Sequence, residues 1–168
     1  MSMVIVEDGH VVLAKVIFDS EFHLAWGGVP EGYDTSSWEA GDVPPAEVTN
    51  TTGLLQEVGR RVSTLKAFVV EDPQGTITAN NSSWSISETP TRHVYFQFKF
   101  DANDASNKVI RQVGIFSGTV KKDTVPVGQM FLTPSDLEDD GVLFMIQNIE
   151  PNSRNASTRE IYEYVITL

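Results

Sequence analysis

His93-Val94-Tyr95-Phe96-Gln97-Phe98-Lys99-Phe100-Asp101 is the stretch that decides the fold class. Val94, Phe96, Phe98 and Phe100 alternate with Tyr95, Gln97, Lys99 and Asp101. A period of two places the first set on one face only if the backbone is extended, so 93–101 reads as a strand with one side on a core. Downstream, the polar stretch 101–107 leads to 108–120, long enough for a second strand with a bend or bulge at Gly114, and the two are expected to pair as a hairpin. Residues 133–136 suggest a short acidic helical turn. The nearly continuous apolar run 142–149 reads as a central strand closed by Pro151. A final strand, 158–168, is expected to be built into the sheet.

Upstream of the key strand, 62–70 is β-branched and apolar and reads as a strand, with a turn at 72–75 and short strands at 75–79 and 84–87. Residues 53–61 read as a turn or short helix feeding the 62–70 strand. Between 27 and 52 the chain is rich in Gly, Asp, Ser and Thr, and Pro30, Pro44 and Pro45 deny ladder donors, so this is a long loop and a candidate extended interaction arm. A strand at 22–26 is expected to end at a Gly27-Gly28 turn. Residues 10–19 are ambiguous: Val11, Ala14 and Phe18 share a helix face behind a capping Asp8, whereas the β-branched content argues for a strand, and helix is favoured. The expected fold is mainly β, a β-rich α+β arrangement with an antiparallel sheet or sandwich and one or two short helices. At 168 residues the chain fits one domain, 1–168.

Composition narrows the chemistry. Cysteine is absent, which removes disulfides, thiolate metal sites and cysteine nucleophiles. Twenty-three acidic residues against 12 basic ones give a net charge of −11, which repels a phosphate backbone, so nucleic acid is not expected as a partner. No apolar run is long enough to cross a bilayer, and the first residues carry no basic leader, so neither membrane insertion nor secretion is expected. His10, His23 and His93 have no metal-ligand spacing, and neither a nucleophile elbow nor a phosphate-binding loop is present. No catalytic residue, metal or cofactor is assigned.

What remains is recognition chemistry. Tyr33 and Trp38 lie in the long loop and Trp84 lies in a polar stretch, which suits exposed aromatic anchors at a protein interface, with burial as the alternative. Arg60 and Arg61 either clamp a partner's carboxylates or satisfy acids within the domain. Trp38 and Trp84 also admit a rival reading, a carbohydrate-binding module that stacks sugars on exposed rings. A further rival is an enzyme whose site is too dispersed to see.

Four landmarks occur in order: Phe22-His23-Leu24-Ala25-Trp26-Gly27, then Leu54-Leu55-Gln56-Glu57-Val58-Gly59-Arg60-Arg61, then Ile110-Arg111-Gln112-Val113-Gly114-Ile115-Phe116, then a terminal strand from Ser157 to Thr167. This order resembles tail proteins of tailed bacteriophages. It is similar in particular to the virion-attached N-terminal region of tail-collar fibre proteins and to small baseplate subunits of contractile tails. The resemblance implies a non-enzymatic structural subunit without cofactor, synthesised in the host cytoplasm and located in the virion tail. Its expected partners are other tail proteins (baseplate, sheath or tube, or fibre subunits), met in multiple copies within a symmetric assembly. No fibrous shaft follows before Leu168, which favours a connector over a receptor binder.

Overall fold

The computed structural model describes residues 3–168 and is mainly β, with antiparallel sheets and, among the described residues, one α-helix. In chain order the elements are α1 (Glu7–Asp19), β1 (Phe22–Gly28), β2 (Gln56–Val62), β3 (Leu65–Glu71), β4 (Ile77–Ala79), β5 (Ser82–Ile86) and β6 (His93–Phe100). There follow β7 (Val109–Ser117), β8 (Val120–Lys121), β9 (Phe131–Leu132), a 3-10 turn (Pro134–Asp136), β10 (Leu137–Asp139), β11 (Val142–Ser153) and β12 (Glu160–Thr167). The chain divides into two compact units, each built from separate stretches. One comprises the stretch ending at Glu21 together with 63–98 and 161–168; the other comprises 22–62 and 99–160.

In the first unit the strand order is β12-β6-β3-β5-β4. One face of this sheet carries Ala67, Val69, Ala79, Trp84, Tyr95 and Val165 as a buried cluster. On the other face Phe68 stacks on Phe18 of α1, ring centroids 4.5 Å apart. The alternation that defines β6 is therefore borne out, and Tyr95, on the nominally polar side, is buried as well, because both faces of the sheet are covered. Asn80 and Asn81, both at positive φ, make the two-residue turn between β4 and β5, the conformation a type I′ hairpin demands. The helix starts after Val6 rather than at Asp8, whose side chain falls in the first turn with Glu7, where the helix dipole favours acids.

The second unit holds the sheet β11-β7-β1-β2-β9 and the small ladder β10-β8. β1 lies at its centre, buried along all seven residues. Gly27 and Gly28 do not turn the chain but continue β1 opposite Glu57 and Gln56. A side chain at Gly27 would meet Leu54 and Gln112 near 3.1 Å, so close packing explains the glycine there.

Four other expectations are corrected. The 53–61 stretch is not a helix: most of it is β2, held antiparallel between β1 and β9, and Gly59 within it leaves room for the ring of Phe131, which would come within 2.3 Å of an added Cβ. The 62–70 strand is broken at Ser63 and Thr64, so β2 and β3 enter different sheets. β6 and β7 do not form a hairpin, since β6 pairs with β3 and lies beside β12 while β7 pairs with β1 and β11. Gly114 sits in regular register against Ala25, and the irregularities fall on β2, where Val58 is skipped in the pairing with β1, and on β11 instead.

β11 is an edge strand rather than a central one, and it runs through Pro151 to Ser153. The proline is tolerated because it lies in the register irregularity between Asn148 and Asn152, on an edge, where a missing N–H breaks no regular ladder bond. The apolar run that suggested two-sided burial leaves Val142, Phe144 and Met145 exposed.

Candidate functional site

Four arginines lie buried in the second unit: Arg60 and Arg61 on β2, Arg111 on β7 and Arg154 just past β11. A buried guanidinium is tolerated only when its charge and donors are met, so each must find partners inside the chain. Arg60 is fully buried; its Nε and Nη2 bind the two Glu57 oxygens at 2.7 and 2.5 Å, and its Nη1 donates to Thr119 Oγ1 and to the Asp140 carbonyl, both at 2.7 Å. Its guanidinium also lies 4.0 Å from the centre of the Phe116 ring. Arg61 pairs with Asp101 at 2.8 Å and with Asp104 at 2.6 Å. Burial pushes its pKa down, but Asp104 and Asp101 outweigh burial and leave it above the usual arginine value.

The other two fasten loops. Arg154 Nη1 binds Glu160 at 2.5 Å, its Nη2 donates to the carbonyls of Thr158 and Asp101, and its guanidinium covers the Trp26 ring at 4.7 Å. Arg111 reaches into the 27–52 loop, where Nη1 donates to the Trp38 carbonyl and Nη2 to Glu39 at 3.2 Å. The Thr35 hydroxyl first, and Arg111 in addition, hold the Glu39 carboxyl below its usual range. Trp38 itself is buried, with Nε1 donating to the Ile149 carbonyl at 2.9 Å. Asn148 of β11 completes the seam, its N–H donating to Glu47 and its side chain to the Pro45 carbonyl. The long loop is thus bolted along its own sheet.

This seam makes a specific prediction. Arg111→Ala removes the charge-assisted anchor of Trp38 and Glu39, an anchor of roughly 1.5–3 kcal/mol. Limited proteolysis is expected to cut within 27–52 at least about tenfold faster than in the wild type, since about 1.4 kcal/mol of local anchoring shifts an opening equilibrium by that factor. Equal cleavage rates would show that Arg111 does not hold the loop.

A second prediction concerns pH. His23, on buried β1, has its pKa lowered from 6.5 to about 4, by burial first and then by the charge of Arg60. The unfolded chain takes up that proton near 6.5 and the folded chain resists it until about 4. Stability is therefore complete above pH 6.5 and falls as pH drops toward 4, by up to about 3 kcal/mol. Denaturation midpoints measured from pH 7 to 4.5 are expected to fall, and His23→Gln to flatten that slope.

The five residues proposed for an interface do not share one surface. Trp38 and Trp84, expected as exposed anchors, are only 2% and 5% exposed, because each indole N–H is satisfied internally, that of Trp84 by the Ala79 carbonyl at 3.0 Å. Neither offers a free face on which a sugar could stack. The guanidinium groups of Arg60 and Arg61 bind acids within the chain. Tyr33 alone of the five is well exposed, and it lines a shallow pocket of about 210 Å³ with Trp38, Pro45, Val48, Leu55 and Ile146. Sequence reading missed Arg111 and Arg154. A basic residue between Ile110 and Val113 in a strand pattern was the available signal for Arg111; for Arg154, in a polar stretch, there was none.

Among the described residues, no group of three or more His, Asp or Glu side chains could hold a metal ion, and no helix is long and apolar enough to cross a membrane.

Comparison with known proteins adds two findings. The profile of a family described as "Baseplate wedge 3 tail fiber network component" matches residues 3–168. Over 146 residues, 80% of each chain, the sequence is 24% identical to "Virion protein 3" of Enterococcus phage phiEF24C.

Proposed function

The chain belongs to the family of baseplate wedge 3 tail fiber network components, a structural family of the phage tail, and from that premise we propose that it works as a non-enzymatic connector between tail proteins. One observation carries the reading: internal acids and carbonyls engage all four buried arginines, which fixes the loops of the second unit, while large apolar side chains stay exposed on the framework so formed. Tyr33, Val43 and Val48 lie on the fastened loop, and Val142, Phe144 and Met145 lie on the edge strand β11, partly exposed, with the Phe144 ring 5.1 Å from that of Phe22. Rigid presentation of apolar side chains lowers the entropy lost on docking. Such an arrangement suits repeated binding to fixed neighbours in a symmetric assembly, with the virion tail as its site and other baseplate or fibre subunits as its partners.

The test is assembly. Phage grown without this chain, and complemented with either wild type or Phe144→Asp with Met145→Asp, should differ in tail composition by mass spectrometry. The wild type is expected to restore the baseplate and fibre subunits, and the folded double variant to be left out of particles. Normal incorporation of the variant would remove the β11 edge from the account, and complete infectious tails without the chain would sink the connector reading.

A further inference from the structure

Helix α1 packs one side and leaves the other bare. Ala14 is fully buried, Phe18 stacks on Phe68, and Lys66 Nζ donates to the carbonyls of Phe18 and Ser20 at 2.6 and 3.0 Å. Val12, Leu13 and Val16 are exposed. At about 100° per residue, Gly9, Val12 and Val16 fall within one stripe about 60° wide, and Leu13 flanks it. Ile5, just before the helix, extends the stripe: its Cγ2 lies 2.9 Å from the position a Cβ on Gly9 would take. Val6, the extended residue that precedes the helix, is exposed as well. A thirteen-residue helix with valine at 11, 12 and 16 and isoleucine at 17 has weak intrinsic helicity and depends on packing.

The opposite margin of the stripe carries Asp8 and Lys15, both exposed and also seven residues apart. We propose that the bare stripe is covered by α1 of a second copy of this chain, antiparallel about a two-fold axis. The geometry points to that occupant because one register satisfies every position twice. Gly9 then faces Val12 of the second copy and Ile5 faces Val16, so the smallest residue meets a branched one. In the same register Asp8 meets Lys15 on one margin. A parallel pair would set Asp8 beside Leu13 and Lys15 beside Ser20, leaving both charges without a partner. The self-complementary pattern, in which residue i meets j and j meets i, is what a two-fold interface requires.

Two such helices bury less than the ~800 Å² per partner of a standard interface, so the pair is weak in dilute solution. A particle holding many copies raises the local concentration enough to close it. In that respect the inference rests on the reading of the chain as a multi-copy tail subunit.

Sedimentation equilibrium of the purified full chain, carried to several hundred micromolar, tests it. A reversible monomer–dimer equilibrium is expected, abolished by Val12→Asp. Asp8→Lys or Lys15→Asp alone is expected to weaken dimerisation at least about tenfold, about 1.4 kcal/mol, and the two together in one chain to restore it, with circular dichroism showing each variant folded. Because the chain has no cysteine, Asp8→Cys mixed with Lys15→Cys should yield the mixed disulfide in preference to either homodimer. A monomer at every concentration, a double swap that fails to restore, or preferred homodimeric disulfides would each overturn the pairing. If the chain is monomeric and Val12→Asp blocks its entry into particles, another tail protein covers the stripe. A monomer that still assembles normally would refute this inference and leave the connector reading intact.

Discussion

Arg60→Met is expected to destabilise the second unit by about 3–5 kcal/mol, the cost of breaking a buried ion pair from one side. Methionine keeps most of the aliphatic stem and removes the charge. Glu57, whose side chain is 14% exposed, then keeps a carboxylate that has lost both its guanidinium contacts, and the Asp140 carbonyl loses a donor at 2.7 Å. The measurement is a urea denaturation midpoint with the slope unchanged, which reports stability rather than altered compactness. Pairing Arg60→Met with Glu57→Gln should recover part of the loss, because residues that share one ion pair are not additive. A midpoint unmoved by Arg60→Met would mean that the buried arginine network does not hold the unit together.

Trp26→Ala is expected to cost about 3–5 kcal/mol by a different route. Trp26 is fully buried on β1, stacked on Phe100 with ring centroids 3.7 Å apart, and capped by the Arg154 guanidinium. Removing the indole opens a cavity in a close-packed interior, which relaxes only in part. It also takes away the aromatic face under Arg154 while leaving that charge buried. Loss of the native midpoint, followed by circular dichroism so that the missing fluorophore does not matter, checks the result. Trp26→Phe, which keeps a ring, should recover most of the stability.

The fold was legible in the sequence where backbone periodicity alone decided the outcome. The alternation from Val94 to Phe100 specifies a strand whatever packs on it. Legibility failed where tertiary partners set the environment. Gly59-Arg60-Arg61 looks like a surface turn until Glu57, Asp104 and the Asp140 carbonyl are brought around it. Most of the arginine contacts join residues dozens of positions apart, from Arg111 to Glu39 or from Arg61 to Asp104, and no local pattern announces them. Trp38 and Trp84 sit among polar neighbours in sequence yet are buried, since each places its N–H on a distant or folded-back carbonyl. The run 142–149 misled in the opposite direction: continuous apolarity suggested a central strand, whereas some of those side chains face outward.

Exposed valine, phenylalanine and methionine on a sheet edge, and an uncovered apolar stripe on α1, are the surfaces that the proposed connector role would have neighbours cover. The acidic balance of −11 is a field that would steer a basic partner surface toward this chain under the proposed connector role.

Cryo-electron microscopy of the intact virion tail, with this chain traced in the density, tests the connector role most directly. The account predicts copies of the chain at the junction of baseplate and tail fibres, each touching at least two different tail proteins, with Phe144 and Met145 of β11 covered by one of them. Copies that touch a single neighbour, or that leave the β11 edge open to solvent, would contradict it.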